Sequence, residues 1–355
     1  MIARWWERRR GSGEKSAGTS APTSVGVPVG GTVLVLGVLS VLLCLVSLAV
    51  GSHSLTLEEV AGAFVPGRTT VASVIVWQLR MPRTVLAVMV GASLAVAGVV
   101  MQGLTRNPLA EPGILGINAG ASLSVVLSMS LLGLTDVSDF LWFAFAGAAL
   151  AAFLVHLMSV RSADAGPARL VLAGVALGAS LRSITGTITM YDSVTFDSYR
   201  FWVLGSLADR DAVLLVWVAP FLVVGLVLAL ASGLTLNALV LGEEQAKALG
   251  VSPRRARALA LISITLLCGA STAAVGPISF VGLVVPQVLR LALGADQRRL
   301  LAVSLVAGPV LLLAADVVGR VILDSGEMEA GVVTAFIGGP VLLLMVIQRM
   351  GVKGR

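Results

Sequence analysis

Charge is what this sequence has least of. Only 12% of its 355 residues are Asp, Glu, Lys or Arg, about half the share of an ordinary globular protein. A string of soluble domains is thereby excluded, because such domains need a charged outer surface. Aromatic residues are sparse at 5%, and there are two cysteines and two histidines. Cys44 and Cys268 both fall in apolar segments, which suits inert packing and not a disulfide or a metal cage. His53 and His156 lie far apart, and no HExxH, CxxC or two-His-one-carboxylate spacing occurs, so neither a metal nor another cofactor is expected. Nor is there a GxxxxGK[ST] loop, so any nucleotide chemistry has to come from another chain. The net charge of +6 does not point to nucleic acid, because the basic residues gather at the ends of apolar segments and form no aromatic-interleaved face.

What the sequence does have is hydrophobic length. Hydrophobic residues make up 57% of it and the mean hydropathy is +0.97. Apolar runs occur near 31–51, 84–104, 114–133, 139–160, 169–190, 211–232, 256–275, 277–293, 299–319 and 331–349. About twenty residues at 1.5 Å rise cross a bilayer core of about 30 Å. The chain is therefore expected to be an all-α polytopic protein of about ten transmembrane helices, with lipid around it. The eighth run is the least regular, because Pro277 and Pro286 interrupt it. Residues 1–30 are Ser/Gly/Pro/Thr-rich after a basic start (Arg4, Arg8, Arg9, Arg10, Lys15) and read as a disordered cytoplasmic tail before a transmembrane domain over 31–351. No A-x-A-like cleavage site follows the first run, so that helix is read as retained. With the N-terminus inside, eighteen Lys and Arg fall on the inner side against six outside (Arg68, Arg80, Arg83, Arg200, Arg210 and Arg320), with Arg182 inside a span. That bias places both termini in the cytoplasm.

The segment Arg80–Gly120 carries the most information. An uncharged crossing from Thr84 to Thr105 lies between an arginine pair (Arg80, Arg83) and a polar turn, Arg106-Asn107-Pro108-Leu109-Ala110-Glu111-Pro112. A conduit with docking surfaces at both ends fits that geometry. Three outer segments exceed simple turns. In 52–82, Ser54 or Thr56 can cap a short acidic-ended helix; 191–210 holds an aromatic stretch around Tyr199-Arg200-Phe201-Trp202; and 320–330 is short and acidic. The octets Gly91–Gly98 and Gly269–Gly276 resemble each other and run in opposite directions in this topology, a weak inverted repeat that close helix packing through small residues explains equally well. The longest internal polar segment, Thr235–Arg257, fits two short helices broken at Gly242 and ended at Gly250, with Ser252-Pro253 opening the next span. Within it, 235–250 suits either insertion into a partner's groove or an ordinary solvated loop.

Several ordered motifs together give the chain a close resemblance to the FecCD (BtuC-like) family, the permeases of type II ATP-binding-cassette importers for ferric siderophores, haem and vitamin B12. They are Arg80-Met81-Pro82-Arg83, Gly98–Gln102, Arg106–Gly113, Trp202–Leu207, Gly242–Gly250, Gly276–Pro286, Ala315-Asp316 with Arg320, and Gly331–Pro340. The resemblance covers nearly everything after the tail. It implies a homodimer, or a pair with a close paralogue, together with an ATPase dimer and an extracytoplasmic substrate-binding protein. By the same resemblance, Arg80, Arg83 and Arg320 receive carboxylates of the binding protein. Gly242, Glu243, Glu244, Ala246, Leu249 and Gly250 belong to the element that couples to the ATPase. Asn107, Pro108 and Leu109 form the cytoplasmic gate, opposite a helix that begins around Leu172-Ala173-Gly174. Gln287 and Gln297 stand where the family often has histidine, and Glu329 where it usually has proline.

A ferric siderophore is the expected cargo, with haem and cobalamin as alternatives within the family. From another class, an ion-coupled secondary transporter should carry more ionisable groups inside its spans, where only His156, Arg182 and Asp316 come close, and each can be placed near an end or an interface. The chain is expected to be a transport subunit and not an enzyme. Rim charges chiefly steer docking. Charge reversal at Arg80 or Arg83 is therefore expected to cut import while leaving the subunits assembled, and undiminished uptake by an Arg80→Glu, Arg83→Glu double variant contradicts it.

Overall fold

A computed structural model describes residues 28–51, 54–65, 70–160, 167–323 and 326–353. Of the tail, residues 1–27 lie outside the described residues, as do His53, Arg68, Arg161 and Asp324. Every regular element among the described residues is helical, as an apolar chain in lipid requires when each backbone group must be satisfied within its own segment. Seven helices are long and apolar enough to cross a membrane, and three shorter apolar helices accompany them. Together these ten match the ten apolar runs.

Among the described residues the first helix is α1 (Val29–Ala49), followed by α2 (Leu57–Gly62). Thr56 caps α2 through a reciprocal box with Glu59, each side chain bonding the other's backbone N–H, so the cap is Thr56 and not Ser54. Helix α3 (Val71–Val74) runs through a π-turn (Ile75–Arg80) straight into α4 (Met81–Thr105). Pro82 has no N–H to give the preceding turn, and the wider π-turn ahead of it absorbs the mismatch. The second crossing thus begins near Val71, about three turns outside the run at 84–104.

A short 3₁₀ turn (Pro112–Leu115) leads to α5 (Ile117–Leu132), α6 (Val137–Val160), α7 (Pro167–Tyr191) and α8 (Ser193–Val203), the last capped by the Asp192 carboxylate. Next come α9 (Ala212–Ala231), α10 (Gly233–Leu241), α11 (Glu243–Ala248) and α12 (Pro253–Val275). The chain closes with α13 (Val281–Leu293), α14 (Gln297–Val321) and α15 (Ala330–Lys353).

Helix α4 is the hub. From Val90 to Thr105 every one of its residues is buried, and it packs against α1, α9, α12, α13 and α14. The approach is closest where two glycines face each other. A Cβ added to Gly91 would sit 2.7 Å from the Gly308 carbonyl oxygen on α14, and one on Gly98 would collide with the Gly282 carbonyl on α13. Without a hydrophobic drive between helices in lipid, such contacts supply packing that larger residues would prevent. Gly120 and Gly147 bring α5 and α6 together in the same way. Both small-residue octets prove to be buried, Gly91–Gly98 in α4 and Gly269–Val275 in α12.

The irregular eighth segment resolves into two parts. Residues 276–280 are non-helical, and α13 follows with 13 residues, about 20 Å of helix and too short to cross alone. Phe280, at the joint, has φ of 70°, a conformation non-glycine residues rarely adopt. Its N–H donates to the Glu111 carboxylate at 2.7 Å. Gly338 of α15 lies directly against the Phe280 ring.

The Gly98–Gly282 contact is backbone against backbone, so neither side can move aside. Gly98→Val is expected to cost about 3 kcal/mol or more by overpacking, read as a lowered thermal midpoint of the detergent-solubilised protein, whereas Gly186→Ala on α7, where an added Cβ meets nothing within 4 Å, should leave the midpoint unchanged.

Candidate functional site

At the start of α4 the structure brings Arg80, Arg83 and Arg320 together, and it commits all three to internal partners. Asp316, 1% exposed on α14, sits between two of them. Arg83 donates Nε and Nη2 to Asp316 Oδ1 at 3.0 and 2.8 Å, and Nη1 to Glu327 at 2.6 Å. Arg320 pairs with the other Asp316 oxygen from one turn along α14. It also donates to the Ser47 and Val50 carbonyls at 2.8 and 3.1 Å and to the Ser47 hydroxyl at 3.0 Å. Arg80 donates to the Leu48 and Ala49 carbonyls at 2.7 and 2.8 Å. Two guanidiniums therefore satisfy the last carbonyls of α1, the groups a helix end leaves without partners, and complement its dipole.

These arginines are buried or nearly so, not free rim charges. They still border a recess of about 550 Å³, together with Asp209, Arg210 and Glu327. Arg210 is the cation there that sequence reasoning passed over. Burial lowers its pKa to about 10, with Asp209 opposing the shift, so it stays charged at neutral pH. Asp209 itself has φ of 54°. A left-handed Asp followed by a half-buried Arg is a weak signal in sequence, and nothing else distinguished the pair.

Three motifs distant in sequence meet in a second knot. The Ser206 N–H donates to the Val275 carbonyl at 2.8 Å, and Gly331 N–H to the Gly205 carbonyl at 3.0 Å. A Cβ on Gly276 would strike the Trp202 carbonyl, and one on Gly331 the Leu204 carbonyl. The buried Trp202 ring stands edge-on to Phe140 at 6.2 Å.

At the opposite end of α4, Arg106 ends the helix with φ of 52°. The Asn107 side chain accepts the Leu109 N–H at 3.0 Å and its carbonyl accepts Ala110 N–H at 3.1 Å. Asn107-Pro108-Leu109 is thus a self-bonded Asx turn. The 3₁₀ turn that follows rests on α7, where Gly174 meets the Ile114 carbonyl. Met101 and Gln102 are buried; Gln102 faces the Gly282 and Leu283 carbonyls and accepts from Arg290 at 3.3 Å.

The polar segment 235–250 forms a knob. Helices α10 and α11 are separated by Gly242 at φ of 128°, and Gly250 at φ of 76° ends the second, with Val251 N–H returning to the Ala246 carbonyl, a Schellman closure. Ala246 is fully buried, while Leu241 and Leu249 are each 63% exposed. Arg257 of α12 pairs with Glu243. Asn237, on α10, was not foreseen: its amide donates to Asp296 at 3.0 Å and its oxygen accepts Gln297 N–H at 2.8 Å. The Asn237 bond, with backbone N–H donors at the start of α14, holds the Asp296 carboxyl below its ordinary pKa. The knob is therefore bonded to α12 and α14, the second of which packs along α4.

The sequence pattern of the FecCD transport family matches residues 38–348. The chain is similar to the ferric enterobactin transport system permease protein FepD of Escherichia coli strain K12, at 44% identity over 305 residues, 85% of this chain and 91% of that one. It is also similar to the vitamin B12 import system permease protein BtuC of Yersinia pseudotuberculosis, at 43% over 285 residues, 78% of this chain and 83% of that one. Among solved structures, a metal-chelate-type ABC transporter in an inward-facing conformation superposes with a TM-score of 0.79 at 28% identity, over 90% of this chain and 99% of that chain.

The arginine cluster changes what charge reversal would do. Arg83→Glu would set a third carboxylate beside Asp316 and Glu327, so loss of folding would accompany any loss of docking. Removing one partner of a buried ion pair costs about 3–5 kcal/mol, against about 0–1 for an exposed one. Asp316→Ala should therefore lower the thermal midpoint of the purified protein strongly, while Glu327→Gln, whose side chain is 30% exposed, should shift it little.

Proposed function

The chain belongs to the FecCD transport family, and from that membership we propose that it carries a ferric siderophore inward across the cytoplasmic membrane. It is a permease subunit of an ATP-binding-cassette importer, a transport component and not an enzyme. The observation that carries the cargo reading is the 44% identity to a ferric enterobactin permease along nearly the whole of both chains. A second reading, cobalamin as cargo, draws support from the 43% identity to a vitamin B12 permease over a shorter stretch.

In this reading both termini lie in the cytoplasm and a second permease subunit, identical or a close paralogue, completes the passage. The knob of α10 and α11 sits in a cleft of a separate ATPase. Its exposed Leu241 and Leu249 suit an apolar groove, and the Asn237 and Arg257 bonds give it two mechanical routes into the membrane helices. An extracytoplasmic binding protein docks at the outer recess. There Arg80, Arg83 and Arg320 shape the wall, and a carboxylate from the partner would share guanidiniums already held in place. The Asn107-Pro108-Leu109 turn gates the inner end beside α7.

The test is uptake by proteoliposomes holding this chain with its ATPase and binding protein, supplied separately with labelled ferric siderophore, haem and cobalamin. ATP-dependent accumulation of the ferric siderophore alone is the expected result. Accumulation of cobalamin or haem in its place overturns the cargo, and ATP-independent uptake of a small ion by this chain alone overturns the importer reading.

A further inference from the structure

Helices α6 and α12 do not close on each other along their whole length. They touch at Gly269, where an added Cβ would stand 3.3 Å from the Ala148 side chain and 3.5 Å from the Phe145 ring. From there toward the start of α12 they leave a groove of about 410 Å³, walled by Phe145, Phe153 and His156 of α6 and by Ala258, Ile262 and Leu266 of α12. Phe153 and Ile262 on its rim are exposed. One end is shut, because the Phe145 ring lies 4.6 Å from that of Phe221 on α9. The Thr265 hydroxyl in the groove is already donated to the Leu261 carbonyl at 2.8 Å, so the walls ask for no polar ligand along their length. From Phe145 to His156 is about 16 Å of helix, the depth of one leaflet in a hydrocarbon core of about 30 Å.

The open end is where the charge is. Arg254 stands one turn before Ala258 and Arg255 two turns before Ile262, so both lie on the groove face of α12, and both are exposed. Among the described residues neither makes an ion pair or a hydrogen bond. Arg257, turned to another side of the helix, is instead committed to Glu243. Helical side chains lean toward the N-terminus of their helix, which carries the Arg254 and Arg255 guanidiniums past the end of the groove while their stems stay with apolar surface. His156 stands at the same end of the groove, four residues before α6 ends at Val160. An apolar slot of one-leaflet depth that ends at two cations is complementary to a molecule with an acyl chain and an anionic head.

We propose that the groove between α6 and α12 binds an anionic phospholipid of the surrounding bilayer, with one acyl chain lying between Phe153 and Ile262 and the phosphate paired with Arg254 and Arg255. The His156 ring supplies a hydrogen-bond donor beside the same head. Each arginine near a membrane surface strengthens attraction to anionic lipid about fivefold, so the pair favours an anionic over a zwitterionic head by about twentyfold, less where salt screens them. The bound lipid holds the start of α12 in its leaflet, next to the Arg257–Glu243 pair. Neither the cargo nor the side of the membrane on which the knob lies enters this inference.

The experiment uses the full-length chain in liposomes, with Cys44→Ala, Cys268→Ala and Ile262→Cys, and a bimane label on the introduced thiol. Val216→Cys on α9, an exposed apolar position away from any arginine in sequence, is the reference site. Phosphatidylglycerol and phosphatidylcholine carrying the same dibrominated acyl chains are titrated by mole fraction into unbrominated phosphatidylcholine, and quenching is read. At Ile262 the phosphatidylglycerol should reach half-maximal quenching at a mole fraction about fivefold or more below that of phosphatidylcholine, while at Val216 the two should agree within about twofold. Arg254→Gln with Arg255→Gln should bring the Ile262 ratio to within about twofold, and Arg254→Lys with Arg255→Lys should keep it, as a charge-borne preference requires. Ala149→Phe, which narrows the groove and leaves the charges in place, should lower the ratio as well. Equal quenching by the two lipids at Ile262, or a preference indifferent to the glutamine pair, overturns the site. So does a ratio unchanged by Ala149→Phe, which puts the lipid outside the groove, or no quenching by either lipid, as when another protein surface covers it.

Discussion

Everything in this subunit is arranged around a helix whose backbone touches its neighbours' backbones. Gly91 against Gly308 and Gly98 against Gly282 let α4 approach α14 and α13 to a distance no side chain allows. In lipid, where apolar side chains gain little by leaving one apolar solvent for another, close packing and interhelical hydrogen bonds supply the attraction. The remaining polar contacts of this core are built on that closeness. Gln102 can face the Gly282 carbonyl only because Gly98 lets α13 come near, and Glu111 can cap Phe280 only because α13 is held there.

The buried charges around the start of α4 depend on the same hub. Asp316 and Arg320 stand on α14 and Arg83 on α4, so their pairing requires the two helices in fixed register. In return, Arg80 and Arg320 draw in the end of α1, the least covered of the long helices. At the other end of the bundle, Asn237 binds the start of α14. The contacts of α10 thus run through α14 and the paired glycines to α4, where the Asn107 turn and the recess sit at opposite ends.

The helices themselves were legible in the sequence because hydropathy alone decides them, and the family motifs were legible as strings. What those strings do to one another was not. Arg80, Arg83 and Arg320 read as outward-facing charges because sequence gives the side of the membrane and not the partner. Asp316, which answers two of them, is 233 residues from Arg83. The break at Gly242 and the stop at Gly250 could be read locally, since each needs a positive φ. Asn237 could not, because its partners Asp296 and Gln297 lie 59 and 60 residues on. The proline-marked run at 277–293 signalled irregularity, but the non-helical stretch 276–280 and the left-handed Phe280 depend on contacts with α8, α15 and Glu111.

The shortness of α13 bears on how such a protein is made. At 13 residues it cannot span, and the non-helical backbone ahead of it offers polar groups that bare hydrocarbon would not tolerate. The carboxylate that takes the Phe280 N–H arrives earlier in the chain, but the glycine that seats the Phe280 ring, Gly338, is synthesised last. This segment therefore cannot enter the bilayer as an independent hydrophobic unit in the order of its synthesis. Its seating depends on elements on both sides of it in the chain, the Glu111 carboxylate before it and α15 after it.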